Sequence, residues 1–155
     1  MHTARSTNLF FISTFIWQAL VIRWNTEKRK KNTILLSLLI AGLSWAVIAT
    51  KWLICVYVEV VPVETALRIW DCVFLEGNKI LLRVGITIIV QLREEILATD
   101  DISTLIGLFR SLETNATLVD CHRFMKSVFK DPGNLKRAQI NALRAQMKSN
   151  KLKDS

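Results

Sequence analysis

A cysteine beside a histidine, Cys121-His122, is the pair in this chain with the plainest chemical potential. Such a pair could supply a thiol nucleophile with its base, or two ligands for zinc. The spacing argues against both. Neighbouring residues on a helix project about 100° apart, so the imidazole does not face the thiol. A zinc site needs a second ligand pair, and Cys55, Cys72 and Cys121 form no C-x-x-C unit, while His2 stands alone at the start. Three sparse cysteines suit a reducing compartment better than a disulfide framework. Asn115-Ala-Thr117 fits a glycosylation acceptor, which a cytoplasmic chain would not use. No cofactor, no metal and no catalytic residue is assigned, and no constellation supports a self-contained enzyme.

A second constellation runs from Pro62 to Arg83. Arg68 and Asp71 are three apart and share a helix face. Trp70 brings a large apolar body to bury and an indole N–H to satisfy. Glu76-Gly77-Asn78-Lys79 makes a tight helix-to-helix corner, and Arg83 lies four residues past Lys79. The bland reading is a buried packing and polar-satisfaction cluster, and it outweighs a catalytic one for Arg68, Trp70 and Asp71.

In this order and spacing, R-I-W-D followed by E-G-x-K-x-L-x-R resembles the signature of TBC domains, the modules that make Rab-family GTPases hydrolyse GTP. The resemblance extends upstream through residues 45–57. Downstream it takes in Cys121-His-Arg-Phe-Met125 and Asp131-Pro-Gly-Asn-Leu135, which resemble the growth-hormone-regulated members of that family. It covers residues 45–150. It leaves residues 1–44 as an unassigned apolar and basic extension and 151–155 as a basic tail. The resemblance implies the C-terminal half of an all-α domain, a Rab-family GTPase as partner, a cytoplasmic setting and a role in vesicle trafficking. It implies a GTPase activator, which is not itself a hydrolase.

The family's chemistry uses an arginine in I-x-x-D-x-x-R and a glutamine in Y-x-Q-G. Arginine fingers in general contribute about 10³–10⁵ in rate. Neither motif occurs here. The nearest approach to the second, Ile16-Trp-Gln-Ala19, lacks both Tyr and Gly. The chain is therefore expected to be catalytically deficient alone, and Pro62, Arg68, Trp70, Asp71, Glu76, Gly77, Lys79 and Arg83 are structural residues.

The elements that hold these residues are helical on composition. The 155-residue chain is 51% hydrophobic with mean hydropathy +0.30, and has only five Gly and two Pro. Residues 1–44 carry six basic groups against one acidic, residues 45–100 five against seven, and residues 101–155 ten against five. The basic residues near the C-terminus are scattered without aromatic interleaving, so nucleic acid is not expected as a partner. Residues 9–22 and 34–50 are uncharged and flank the basic run at 28–31. That is the pattern of a short helical hairpin, each arm shorter than the roughly 20 apolar residues a spanning helix needs. Membrane association through residues 9–50 is thus an alternative: a small basic anchored protein with a cytosolic helical domain. A signal peptide is not, since a basic n-region is nearly absent and no small-x-small cleavage site follows residue 22.

Residues 52–61 read as strand on periodicity, but as helix by the resemblance. Pro62 ends that element, and a new helix runs from Val63 to residues 75–77, closed by Gly77. Asn78 caps a long helix from Lys79 to about Ala98. A stripe of Ile102, Leu105, Ile106 and Phe109 marks the next. Asn115 or Thr117 caps another, with Leu118, Val119, His122, Met125 and Phe129 facing inward. Residues 131–134 form a turn. A last helix spans 135–148, with Ile140, Leu143 and Met147 on one side.

Overall fold

Pro62 and Gly77 bracket the first well-formed helix. The computed structural model describes residues 51–99, 102–133, 135–136 and five positions between 138 and 145. Among the described residues the secondary structure is helix and turn, with no strand. The segments at 9–22 and 34–50, and most of the helix expected at 135–148, lie outside them.

Helix α1 spans Val63–Glu76. Pro62 precedes it with φ −51° and ψ 145°, and its carbonyl accepts the first helical bond from the Ala66 N–H at 2.9 Å. The Gly77 N–H closes the last turn on the Val73 carbonyl. Gly77 itself takes φ 81° and ψ −171°, a region open almost only to glycine. The chain can then reverse at once into α2, Lys79–Gln91. Asn78 occupies the N-cap position as expected, but its side chain makes no capping bond.

Helix α2 is the centre of the core. Every residue from 82 to 88 is buried, on all faces of the helix. Its five buried aliphatics, Ile80, Leu82, Val84, Ile86 and Ile88, each gain about 1.5–3 kcal/mol on leaving water. The expected continuous helix to Ala98 is corrected: it breaks at Leu92, with φ −86° and ψ 8°, and a short α3, Arg93–Leu97, follows. Leu92 and Ile96 stay buried through the break.

Helix α4, Ile102–Arg110, buries Leu105 and Phe109. A 3-10 turn at Leu112–Thr114 leads to α5, Ala116–Val119, and α6, Cys121–Lys130. Asn115 caps α5 by accepting the Thr117 N–H at 3.0 Å. Asp120 separates α5 from α6 and caps α6 through the Arg123 N–H. This second cap resets the helical phase. The inward set on α6 is Cys121, Phe124 and Val128. The expectation that Val119, His122 and Phe129 face inward is corrected, because all three are exposed.

Helices α1, α2 and α6 pack against one another. Residues 51–61 cover one side of this group. The helix expected there is corrected: only 51–54 are helical, and 55–60 are turn. Val56, Tyr57 and Glu59 have φ of 47°, 63° and 58°, a left-handed excursion that folds the segment back on itself. Tyr57 is thereby driven into the core, where its O–H donates to the Leu81 carbonyl at 2.7 Å. Trp52 sits between Tyr57 and an edge-on Phe109, with ring centroids 6.0 and 5.6 Å away.

Candidate functional site

Arg83 is the motif residue that the fold encloses most completely, at 7% exposure. Helix α2 delivers its guanidinium to the end of α6. Its Nε–H donates to the Val128 carbonyl at 2.9 Å, its Nη1 group to the Gly133 carbonyl at 3.0 Å, and its Nη2 group to the Phe129 carbonyl. Two of these, the Val128 and Phe129 carbonyls, are of the kind that a helix C-terminus leaves without partners. The planar fork satisfies both and pins the following turn, where Gly133 has φ +64°. A cation also suits the negative end of the helix dipole. The Phe129 ring lies 6.0 Å from the guanidinium carbon, which adds a cation–π contact. Burial lowers the Arg83 pKa, and the Glu76 carboxylate opposes that shift.

The rest of the motif divides. Gly77 makes the corner described above. Lys79 and Pro62 are half-buried, and Glu76 is exposed. The buried cluster expected of Arg68, Trp70 and Asp71 is corrected. Arg68 and Asp71 are exposed, and Trp70 is 37% exposed. The Trp70 indole N–H does find its acceptor, the Val56 carbonyl at 3.0 Å, which ties α1 to the left-handed turn. The site thus clamps α2 to α6 through Arg83 and α1 to residues 51–61 through Trp70.

Two further anchors carried no sequence signal. Thr65 is fully buried, and its hydroxyl donates to the Leu118 carbonyl at 2.9 Å, joining α1 to α5. Tyr57 is enclosed, and burial pushes its phenol pKa up, with a backbone hydrogen bond from Gly85 opposing. A threonine in a first helical turn and a tyrosine in an apolar run are too common to single out. Cys121 is buried with its thiol 3.8 Å from the Glu64 carbonyl, while His122 points outward. Cys72 is half-buried, and burial followed by the Glu76 and Asp71 carboxylates raises its pKa, so its thiolate is disfavoured. This arrangement holds helices together. It presents no nucleophile with a base beside it.

Among the described residues, no group of three His, Cys, Asp or Glu side chains could hold a metal ion. No helix among them is long and apolar enough to cross a membrane.

Comparison with known proteins places this clamp in context. The model of the Rab-GTPase-TBC domain family matches residues 15–97. The match therefore begins N-terminal of residue 45, where the motif reading starts. Growth hormone-regulated TBC protein 1-A of Danio rerio is 41% identical over 103 residues, covering 66% of this chain and 29% of the relative. Growth hormone-regulated TBC protein 1 of Rattus norvegicus is 41% identical over the same length, covering 66% of this chain and 36% of the relative. TBC1 domain family member 30 of Xenopus tropicalis is 33% identical over 86 residues, with coverage of 54% and 10%. The match thus spans about a third of the length of the first two relatives. No solved structure matches the chain.

Proposed function

Because the chain belongs to the Rab-GTPase-TBC domain family, we propose that residues 45–150 act as the C-terminal part of a Rab GTPase-activating domain, with little stimulating activity of their own. The observation that carries this reading is the Arg83 clamp. The best-enclosed residue of the family signature serves helix packing, its guanidinium engaged by three backbone carbonyls. The two finger motifs of the family are also missing from the sequence. Stabilisation of developing phosphoryl charge needs a cation aimed at it. Arg83 spends its donors on three carbonyls.

The partner on this reading is a Rab-family GTPase in the cytoplasm. The chain would offer a helical surface to that partner or to the rest of such a domain. The test is single-turnover GTP hydrolysis by a panel of Rab proteins, with and without the 155-residue chain. The expected result is no acceleration. Stimulation of about a hundredfold or more, near the range of a finger residue, overturns the reading.

The uncharged runs at 9–22 and 34–50, with the basic residues 28–31 between them, favour a second reading in which this region meets a membrane surface. Alkaline extraction of a membrane pellet tests it. Full release into the supernatant removes that reading and leaves the first intact.

A further inference from the structure

Val63, Leu67, Trp70 and Phe74 recur at i, i+4, i+7 and i+11, so they form one stripe along α1. The stripe meets water. Val63 is 71% exposed, Leu67 59% and Phe74 81%. The Trp70 N–H holds the turn at Val56 against α1, and Ile54 and Val58 on that turn are exposed too. We infer that residues 9–22 of the same chain cover this stripe, an uncharged run docked lengthwise on α1.

The occupant follows from domain membership, length, tether and charge. Large apolar side chains left together in water mark an interaction surface. The family match begins at residue 15, inside the run, and takes in α1, so residues 15–22 belong to the same domain as the stripe. The run has 14 residues, as α1 has. Residues 23–50 connect it to Lys51, at the start of the segment that Trp70 holds on α1. As a flexible coil these 28 residues span about 30 Å, against about 21 Å for the whole of α1, so the run can reach the stripe from a tether already beside it. The second uncharged run, 34–50, joins Lys51 directly and has no connector to turn it back along the helix. Charge agrees. The exposed charges on α1 and residues 51–61 are Glu59, Glu64, Asp71 and Glu76 against Lys51 and Arg68. Residues 23–31, which follow the run, carry Arg23, Lys28, Arg29, Lys30 and Lys31 against Glu27.

The test keeps the full chain and reads proximity. Leu67 is replaced by the photo-crosslinker p-benzoylphenylalanine, the chain is irradiated at low micromolar concentration, and the joined peptides are mapped by mass spectrometry. Equal parts of ordinary and heavy-isotope-labelled chain separate links within one molecule from links between two. A tether sets an effective concentration of about millimolar, so a docked run outcompetes a second copy. We expect most links from position 67 to fall in 9–22 of the same chain, at least about tenfold more than from the same label at exposed Glu113. Ile16→Glu with Leu20→Glu puts two charges in the run without touching α1, and should remove those links. Leu67→Glu, at an exposed position, should raise chymotryptic cleavage within 9–22 about tenfold, since cleavage follows the undocked fraction. Glu113→Arg should leave it unchanged.

Links from position 67 that show no preference for 9–22 over the Glu113 control overturn the proposal. So do links that survive Ile16→Glu with Leu20→Glu. Mixed-isotope links as the main product assign the stripe to a second copy, and links chiefly to 34–50 assign it to the other run; either overturns the proposal. Links to phosphatidylserine vesicles in place of residues 9–22 do the same, in favour of a membrane surface.

Discussion

Helices α1 and α2 are neighbours of 14 and 13 residues, both rich in aliphatics, and they meet water differently. Helix α2 is buried on every face from residue 82 to 88, whereas α1 buries only Thr65, Ala66 and Ile69 and shows Leu67, Phe74 and Leu75 to solvent. Their motif arginines follow suit. Arg83 of α2 has its guanidinium on three carbonyls, and Arg68 of α1 stands exposed. Apolar content therefore does not decide which helix is central. Position does, and α2 is central because α1, α6 and residues 51–61 surround it. The same family signature serves two ends, internal closure in one helix and an outward surface in the other.

The sharpest way to break this contrast is Arg83→Met. It strips charge-assisted donors from three carbonyls, each such bond contributing about 1.5–3 kcal/mol, though not additively. We expect a loss of about 3–5 kcal/mol in urea denaturation, a large share of a domain's stability. Arg83→Lys should recover only part, because an ammonium cannot fork across three acceptors. A loss below about 1 kcal/mol would mean that water replaces the guanidinium cheaply. Trp70→Ala should cost less, about 2 kcal/mol, below the 3–5 expected of a fully enclosed aromatic. Thermal melts of variant and wild type in one buffer decide it.

Tyr57 sharpens the contrast from the core side. Its phenol is raised by burial, so the folded state holds the proton above pH 10.0, where the unfolded state releases it. Stability from this group is whole below pH 10.0 and declines as pH rises further, by about 1.4 kcal/mol per pH unit. Tyr57→Phe should cost about 1 kcal/mol at neutral pH and remove that part of the alkaline slope. Because Tyr57 is the chain's one tyrosine, the tyrosinate absorbance band reads it directly. Ionisation near pH 10.0 in the folded chain would contradict the enclosed placement. The smallest effect is expected on the outer side. Arg68→Ala should leave the melting curve within about 0.5 kcal/mol of wild type.

The legible parts of this fold are those with chemical punctuation. Pro62 and Gly77 give the bounds of α1 almost to the residue, because one lacks an N–H and the other tolerates a backbone closed to side chains. Asn115 and the turn after Lys130 were readable for similar reasons. What failed had none. Leu92 continues the apolar stripe of α2, so nothing in its side chain announces the break. Val56, Tyr57 and Glu59 adopt positive φ without being Gly, Asn or Asp, and tertiary packing around Tyr57 overrides their local preference. Asp120 caps α6 from within an apolar stripe that runs on through it, so the stripe alone does not show the phase that the cap sets. For the site, the signature picked out Arg83 but gave no hint of its acceptors, which lie 45–50 residues further along the chain.

That separation has a kinetic side. Local N–H groups of Asp131 and Gly133 close on Ser127 and Lys130, but the Val128 and Phe129 carbonyls take their donors from a helix formed from residues far upstream. Closing so long a loop has to precede the contact that rewards it. The end of α6 should therefore fray until α2 is in place, then lock as one of the later events in folding. Pulsed hydrogen exchange would see it: amides in the middle of α2 gain protection first, and those of Phe129 and Lys130 gain it last.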